Sequence, residues 1–426
     1  MAFNTARCSA TMDSVPEISP ESSFKVLSSQ RNEKISNPDI VDGPRPPVYI
    51  VDLDLPPRQR YQQIGKDFKE QFLELTPLFD SIISTLPYSK LISFIARIIL
   101  RRIHNSEEED EIKGLVDVSG IPLFLMIAFN TLLDTFMGCT SGAVKLTEDP
   151  YAAESSNEDR DKMVHFRTLD WGMDGLRDLV IQIDYQKEGK IIAHAITYAG
   201  FVGVLTGVRK DLSVSLNFRP TADEDTPRAK VAYHKLLVLL GLRPSVSSQL
   251  RSFLLPRGKK DAPTFEEILQ NFAKTPCTPA YVTLCNGSQA VFIEKDIRRA
   301  KMNLSEEFVS GTNHDTHTEA WKPEDYKKFA LRNDAVGMDL DLLEDSQHRK
   351  GCISRLYENS SRPVPKASRK RARRKAKGGI GIDNVVSWCQ TWPITNECTH
   401  FSCVMDPKEG EISWVKYHPE PPESGD

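Results

Sequence analysis

The order of patterns along the chain predicts an α+β protein, a layered sandwich in which helices precede a β-rich body. From Arg58 to Met137 apolar residues recur three and four apart, as in "YQQIGKDFKEQFLELTPLFDSIISTL". Beyond Cys139 come the runs "CTSGAVKL", "KMVHFRTLDW", "LVIQIDYQ", "KIIAHAITYAGFVGVLTG" and "LSVSLNF", several apolar on both faces, which suits strands covered on both sides. Two helical stretches, "KVAYHKLLVLLGL" and "TFEEILQNFAKT", then separate these from further strands, and that alternation favours stacked layers.

The elements follow in order. The start, "MAFNTARCSATMDSVPEISP", lacks the charged then apolar run of a secretory signal, and residues 1–45 read as a disordered segment. An intracellular, first of all cytoplasmic, location is therefore expected, with lysosome or vacuole as the other compartments to test. The ordered part opens near Pro46 with "PRPPVYIVDLDLPPRQRY", where Val48, Ile50, Leu53 and Leu55 are the apolar strand positions. The apolar run Ile121 to Phe129 is too short to span a bilayer, so no transmembrane helix is expected. Thr264 and Glu267 stand at capping-box spacing before a helix. "AYVTLC" and "AVFIEKD" flank Asn286 and Gly287 as a hairpin, and "CTHFSCVMD" pairs with "EISWVKY" around "PKEG".

Composition narrows the function classes. A chain of 426 residues with a net charge of −4 gives no global reason to expect nucleic acid or anionic membrane as partner, so any basic site is local. Eight cysteines over this length make no dense disulfide framework, and the default is reduced thiol.

One of those thiols lies in "DTFMGCTSGAVKL", where an apolar helical segment ends at Gly138 and a strand starts at Cys139. A cysteine at the head of a buried strand is commonly a small packed hydrophobe. Thr140 and Ser141 bring hydroxyls beside this one, however, and Gly138 leaves the preceding carbonyl open to attack by the Cys139 side chain. Cleavage there makes Cys139 an N terminus whose α-amine, with a reference pKa of about 8, can deprotonate its own thiol. One residue then supplies nucleophile and base.

From about Pro46 to Tyr417 the chain resembles the acid ceramidase and N-acylethanolamine-hydrolysing acid amidase family. Six motifs carry the resemblance, in the family's order: "PPVYIVDLDLPPRQRY", "SGIPLFLMIAFN", the nucleophile motif "CTS", "FRTLDWG", "YAGFVGVLTG" and "TNHD". The resemblance implies the αββα fold of N-terminal-nucleophile hydrolases. It also implies a helical α subunit over 46–138 and a catalytic β subunit over 139–426, which stay associated after self-cleavage between Gly138 and Cys139. Cys139 carries over as the nucleophile, Arg167 and Asp170 as the pair beside it, and Asn313 as the oxyanion-hole side chain. Arg349, in "DSQHRKGC", is the candidate for the family's second arginine. In these roles Asp170 orients the α-ammonium, Arg167 favours the thiolate, and Asn313 donates to the developing oxyanion, a contribution of roughly 3 kcal/mol when preorganised. Where human-type members have Asn-Glu-Arg, this chain has Asn217, Phe218 and Arg219, which leaves the family's acidic pH optimum open.

Implied is an amidohydrolase that cleaves the N-acyl bond of ceramide-like lipids, with N-acylethanolamines as alternative substrates and with no metal or cofactor. "YSKLISFIARIILRRIHN" places Leu91, Phe94, Ile95, Ile98, Ile99 and Ile103 among Lys90, Arg97, Arg101 and Arg102. That pattern fits an interfacial helix making peripheral membrane contact as well as one packed on the sheet. "KASRKRARRKAKGG" reads as a flexible solvated insert over about 362–382. It also supplies the non-enzyme alternative, an RNA-binding protein, beside that of a non-catalytic lipid-binding member. Cys389, Cys398, His400 and Cys403 lack the close pairing of a zinc site and read as packing.

Overall fold

The structure is a computed structural model that describes residues 43–74, 94, 96–132, 138–147, 162–220, 222–223, 225–256, 258, 260–333, 340–361 and 379–422. The expected disordered segment up to residue 42, and residues 362–378 of the basic insert, lie outside the described residues.

Strand β1, Val48–Asp52, opens the fold and pairs in parallel with a strand of the larger sheet. Period-two alternation turns Val51 fully inward and leaves Val48 and Ile50 at 55% and 61% exposure. The strand stops at Asp52, so Leu53 and Leu55 are not strand positions, which corrects that part of the sequence reading. The helical region is built of separate pieces: α1 (Pro57–Arg60), α2 (Gln62–Asp67), α3 (Ser106–Ser119) and α4 (Leu123–Leu132). Its breaks have local causes. Pro57 stands at the first position of α1, where no N–H is needed. Asn105 caps α3 by accepting from the Glu107 N–H, and Gly120 ends that helix with a left-handed φ of 76°.

The β body then runs β2 (Gly138–Lys145), β3 (Met163–Asp170), β4 (Val180–Lys187), β5 (Lys190–Tyr198), β6 (Thr206–Arg209) and β7 (Leu212–Phe218). Helices α5 (Arg228–Leu239), α6 (Val246–Leu254) and α7 (Phe265–Phe272) follow, the last with the capping box between Thr264 and Glu267. Next come β8 (Ala280–Cys285), β9 (Ala290–Lys295), β10 (Ala300–Ser305) and β11 (Phe308–Gly311). The chain closes with α8 (Pro323–Asn333), α9 (Leu340–Ser361), α10 (Ile382–Gln390), β12 (Thr399–Asp406) and β13 (Glu411–Tyr417). Both expected hairpins are present, β8 with β9 and β12 with β13.

The strands form an eight-stranded sheet in the order β1-β4-β5-β6-β7-β8-β9-β10 and a five-stranded sheet in the order β11-β2-β3-β12-β13. The sheets face each other through β2 and β3 against β7 and β8. Helix α6 covers β6 and β7 from outside, while α9 and α10 cover the far side of the five-stranded sheet. Helix, sheet, sheet, helix is the αββα layering implied by the family resemblance. Alternation divides the core accordingly: Val144, Val164, Phe166 and Val404 pack with Trp388 and Ile353 beneath α9 and α10. Gly142 lets β11 close on β2, since a β-carbon there would lie 2.3 Å from the Val309 carbonyl oxygen.

Candidate active site

The same alternation that buries the even residues of β2 and β3 beneath the helices sends their odd residues between the sheets. Ser141 Oγ lies 2.8 Å from Thr283 Oγ1, and His165 bridges Ser213 and Ser215 at 2.9 Å each. Burial, with Arg167 adding to it, pushes His165 down to about 3, so the ring is a neutral strut between the sheets. At the head of this seam is Cys139, paired with Leu169 and fully buried.

Arg167 reaches the thiol from β3. Its Nη2 donates to Cys139 Sγ at 3.2 Å, and its Nη1 is anchored on the Leu216 carbonyl at 2.7 Å and on Asn217 Oδ1 at 3.0 Å. The Cys139 N–H donates to Asn313 Oδ1 at 2.8 Å. Burial raises the thiol pKa more than Arg167 and Arg349 lower it, and Asp170 adds to the rise. In the uncleaved chain the desolvation of this pocket outweighs the arginine charge that the sequence suggested would favour a thiolate.

Asp170 and Arg349 approach from the helix side. Arg349, on α9, donates through Nη1 to the Cys139 carbonyl at 2.6 Å and to Thr140 Oγ1 at 3.0 Å, and through Nη2 to Asn313 Oδ1 at 3.1 Å. Its Nε is held by Asp345 at 2.9 Å, and Nη1 lies 3.6 Å from Asp170 Oδ2. Asp170 is opposite Gly138 in the β2–β3 register, and a β-carbon added at Gly138 would sit 3.4 Å from its Cβ. Burial pushes the Asp170 carboxyl up to about 6, against the pull of Arg349 and of a hydrogen bond from Thr399.

All five residues singled out from the sequence, Cys139, Arg167, Asp170, Asn313 and Arg349, therefore meet around one peptide. Asn313 does so with its acceptor: Oδ1 faces Cys139, while Nδ2 donates to the Phe218 carbonyl at 2.9 Å. The donor atom needed for an oxyanion role is thus held by Phe218 in the uncleaved chain. Ser346 on α9 accepts the Asn313 N–H at 2.7 Å, so one helix places both Arg349 and the asparagine loop.

Several residues that build the site were given no role there by the sequence reading: Asn217 and Asn130, which it met only within motifs, and Ser346 and Thr399, which it did not single out. Asn130 pins α4 to the segment after β5, donating to Gly200 O at 2.9 Å and accepting from Val202 N at 2.8 Å. Its signal was a lone amide ending an apolar run. In the late cysteine group, His400 spends both ring nitrogens on Tyr198 Oη at 2.9 Å and on the Trp171 carbonyl at 3.0 Å. Glu294, Asp315 and His317 bring possible ligand atoms within 4.8 Å of one another. Asp315 is however paired with Arg219 at 2.7 Å and Glu294 accepts from Thr316, so these carboxylates already have partners.

The αββα sandwich has the layering of the N-terminal-nucleophile hydrolases, and a buried thiol stands at the head of one of its inner strands. A family model for the beta subunit of N-acylethanolamine-hydrolysing acid amidase matches residues 44–103, the stretch preceding Gly138 for which the sequence reading used the name α subunit. Acid ceramidase of Heterocephalus glaber is 28% identical over 191 residues, covering 41% of this chain and 45% of that protein. The probable acid ceramidase of Caenorhabditis elegans is 28% identical over 216 residues, 46% of this chain and 51% of that protein. Acid ceramidase of Rattus norvegicus is 26% identical over 263 residues, 57% of this chain and 61% of that protein. The chain thus spans about half the length of the curated relatives it matches. Among solved structures, the Caenorhabditis elegans ortholog of N-acylethanolamine-hydrolysing acid amidase aligns with a TM-score of 0.42 and 21% identity, over 63% of this chain and 93% of that one. The chain is a relative of acid ceramidase and N-acylethanolamine-hydrolysing acid amidase, the family its motifs resemble.

Proposed function

We propose that this protein is an amidohydrolase that frees its own nucleophile by cleavage between Gly138 and Cys139 and then hydrolyses lipid N-acyl amides of the ceramide type. The convergence of Arg167 on Cys139 Sγ and of Arg349 on the Cys139 carbonyl carries the reading. In the first reaction Sγ attacks the Gly138 carbonyl carbon, the C–N bond breaks as the nitrogen takes up a proton, and water hydrolyses the resulting thioester. The freed α-amine starts at Asn313 Oδ1, and Asp170, opposite Gly138 in the strand register and with no hydrogen bond to its Oδ2 among the described residues, is the carboxylate we assign to receive it. In the second reaction the amine takes the thiol proton, the thiolate attacks the substrate carbonyl, and that proton leaves with the amine product. Water then releases the fatty acid. Since Cys139 is wholly buried, turnover of an external amide requires the cleaved chain to open above it.

Lipid substrates are favoured over other amides by the relatives and by an apolar helical surface. Phe94 and Ile98 are 61% and 47% exposed, whereas Ile99 and Ile103 pack on the core. Arg97 lies over the Phe124 ring at 5.1 Å, so the segment both packs and presents apolar side chains to a bilayer. Leu91 and Ile95, named with these from the sequence, lie outside the described residues. Among the described residues no helix is long and apolar enough to cross a membrane. N-acylethanolamines are the second reading, favoured by the family model over residues 44–103. Purified protein assayed against ceramides, N-acylethanolamines, bile-acid amides and penicillins decides between them. Ceramide turnover releasing fatty acid is expected, with N-acylethanolamines slower; activity on the last two classes alone would sink the lipid reading.

A further inference from the structure

Asp170 has two carboxylate oxygens with different surroundings. Thr399, the first residue of β12 and fully buried, places Oγ1 2.6 Å from Oδ1. The same hydroxyl accepts the Asn396 N–H at 2.9 Å, so its single hydrogen is directed to Asp170. Oδ2 has no hydrogen-bond partner among the described residues and lies 3.6 Å from Arg349 Nη1. The β3–β12 register shifts between Thr399 and Phe401, an irregularity of the kind that re-aims a side chain beside an active site. Arg177, itself buried, grips the carbonyls of Thr399 at 2.5 Å, Glu397 at 2.6 Å and His418 at 3.2 Å, which fixes the start of β12.

We propose that Thr399 is a positioning residue: its hydroxyl occupies Oδ1 of Asp170 and so presents Oδ2 to the new N terminus at Cys139. This rests on the role given to Asp170 above. The other charged or titratable groups within electrostatic reach of Asp170 are Arg349 and Asp345 from α9, and, from beyond its own face of the sheet, Arg167 on β3, Cys139 on β2 and Tyr198 on β5. Arg177 and His400 lie behind Thr399 and Trp171. Among these groups the Thr399 hydroxyl is an uncharged donor that favours the ionised carboxylate without competing for the amine.

The test compares full-length Thr399→Val, which keeps the shape and loses the donor, with Thr399→Ser, which keeps the donor. Two pH profiles are read for each: cleavage at Gly138–Cys139 by intact mass, and hydrolysis of a fluorogenic lipid amide. Thr399→Val is expected to move the acid limb of both profiles up by about one pH unit, a tenfold loss on that limb. Thr399→Ser is expected to keep the wild-type limb. Coincident limbs for Thr399→Val and wild type, or equal displacement in Val and Ser, would overturn the proposal. If Thr399→Val is insoluble, Thr399→Ala replaces it with the same two outcomes. A wild-type profile for Asp170→Asn would instead remove the role of Asp170, a failure separate from that of Thr399.

Discussion

Arg167 and Asp170, three residues apart on β3, reach the Gly138–Cys139 peptide from opposite faces of the five-stranded sheet. Arg167 points between the sheets to Leu216 and Sγ, whereas Asp170 points toward α9 and Arg349. A spacing of three on a strand makes this unavoidable, and under the proposed self-cleavage it would leave the thiol and the freed amine of Cys139 to separate partners.

Self-cleavage is the first expectation. Denaturing mass analysis of purified protein should show two chains with a break between Gly138 and Cys139, and Cys139→Ala should remain a single chain. Lipid-amide hydrolysis by a preparation that is wholly uncut would exclude this activation.

Asp170→Asn and Arg167→Ala should each slow both maturation and turnover by at least tenfold, about 1.4 kcal/mol in barrier. A neutral amide holds an ammonium less well than a carboxylate does. Arg167→Ala leaves the Leu216 carbonyl and Asn217 Oδ1 without their buried donor. Deletion of residues 366–377, which carry the basic run, should leave both rates within a factor of two. Wild-type maturation and ceramide hydrolysis by Asp170→Asn would show the site to be misassigned.

The pH dependence follows from Asp170. Burial pushes its carboxyl up to about 6, so it is ionised above that value and protonated below it. A protonated carboxyl cannot counter the α-ammonium, and hydrolysis should fall as pH drops through about 6. Phe218 supplies no second carboxylate at the neighbouring strand end. A rate maximum near pH 4.5 would contradict this.

Arg349→Lys should not rescue Arg349→Ala. The guanidinium serves the Cys139 carbonyl, Thr140, Asn313 and Asp345 at once, whereas an ammonium offers a point charge without the planar fork. Measuring kcat and cleavage half-time in both variants checks it; near-wild-type values for the lysine variant would limit Arg349 to a charge.

Glu111 links the N-terminal helices to the β body. It is fully buried, accepts from Nη1 and Nη2 of Arg251 at 2.5 and 2.7 Å, and accepts from Arg60 Nη1 at 3.0 Å. Removing one partner of such a network leaves an uncompensated charge, and Glu111→Gln should cost about 3–5 kcal/mol. A fall in melting temperature, and loss of the N-terminal chain on gel filtration after cleavage, are the expected readouts. Unchanged melting and retention would place the association elsewhere.

Much of this was legible in the sequence because it is local. The capping box at Thr264 and Glu267, the Asn286–Gly287 hairpin and the helix-to-strand change at Gly138 each depend on a few neighbouring residues. The family motifs picked out Cys139, Arg167, Asp170 and Asn313 because each lies in a short, ordered string. Arg349 was the least anchored of the five, and only α9 packing on β2 and β11 gives it a reason to be at the site.

What the sequence by itself determined, then, is the succession of layers and the chemical identity of the groups. Tertiary structure alone decided which carbonyls hold Arg167, that Asn313 turns its acceptor to Cys139, and that Thr399 takes one oxygen of Asp170. It also buried Glu111 within the strongly acidic run "SEEEDEIK". The physical reason is separation: these partners lie from 49 to 229 residues apart, and only strand register and sheet stacking bring them together.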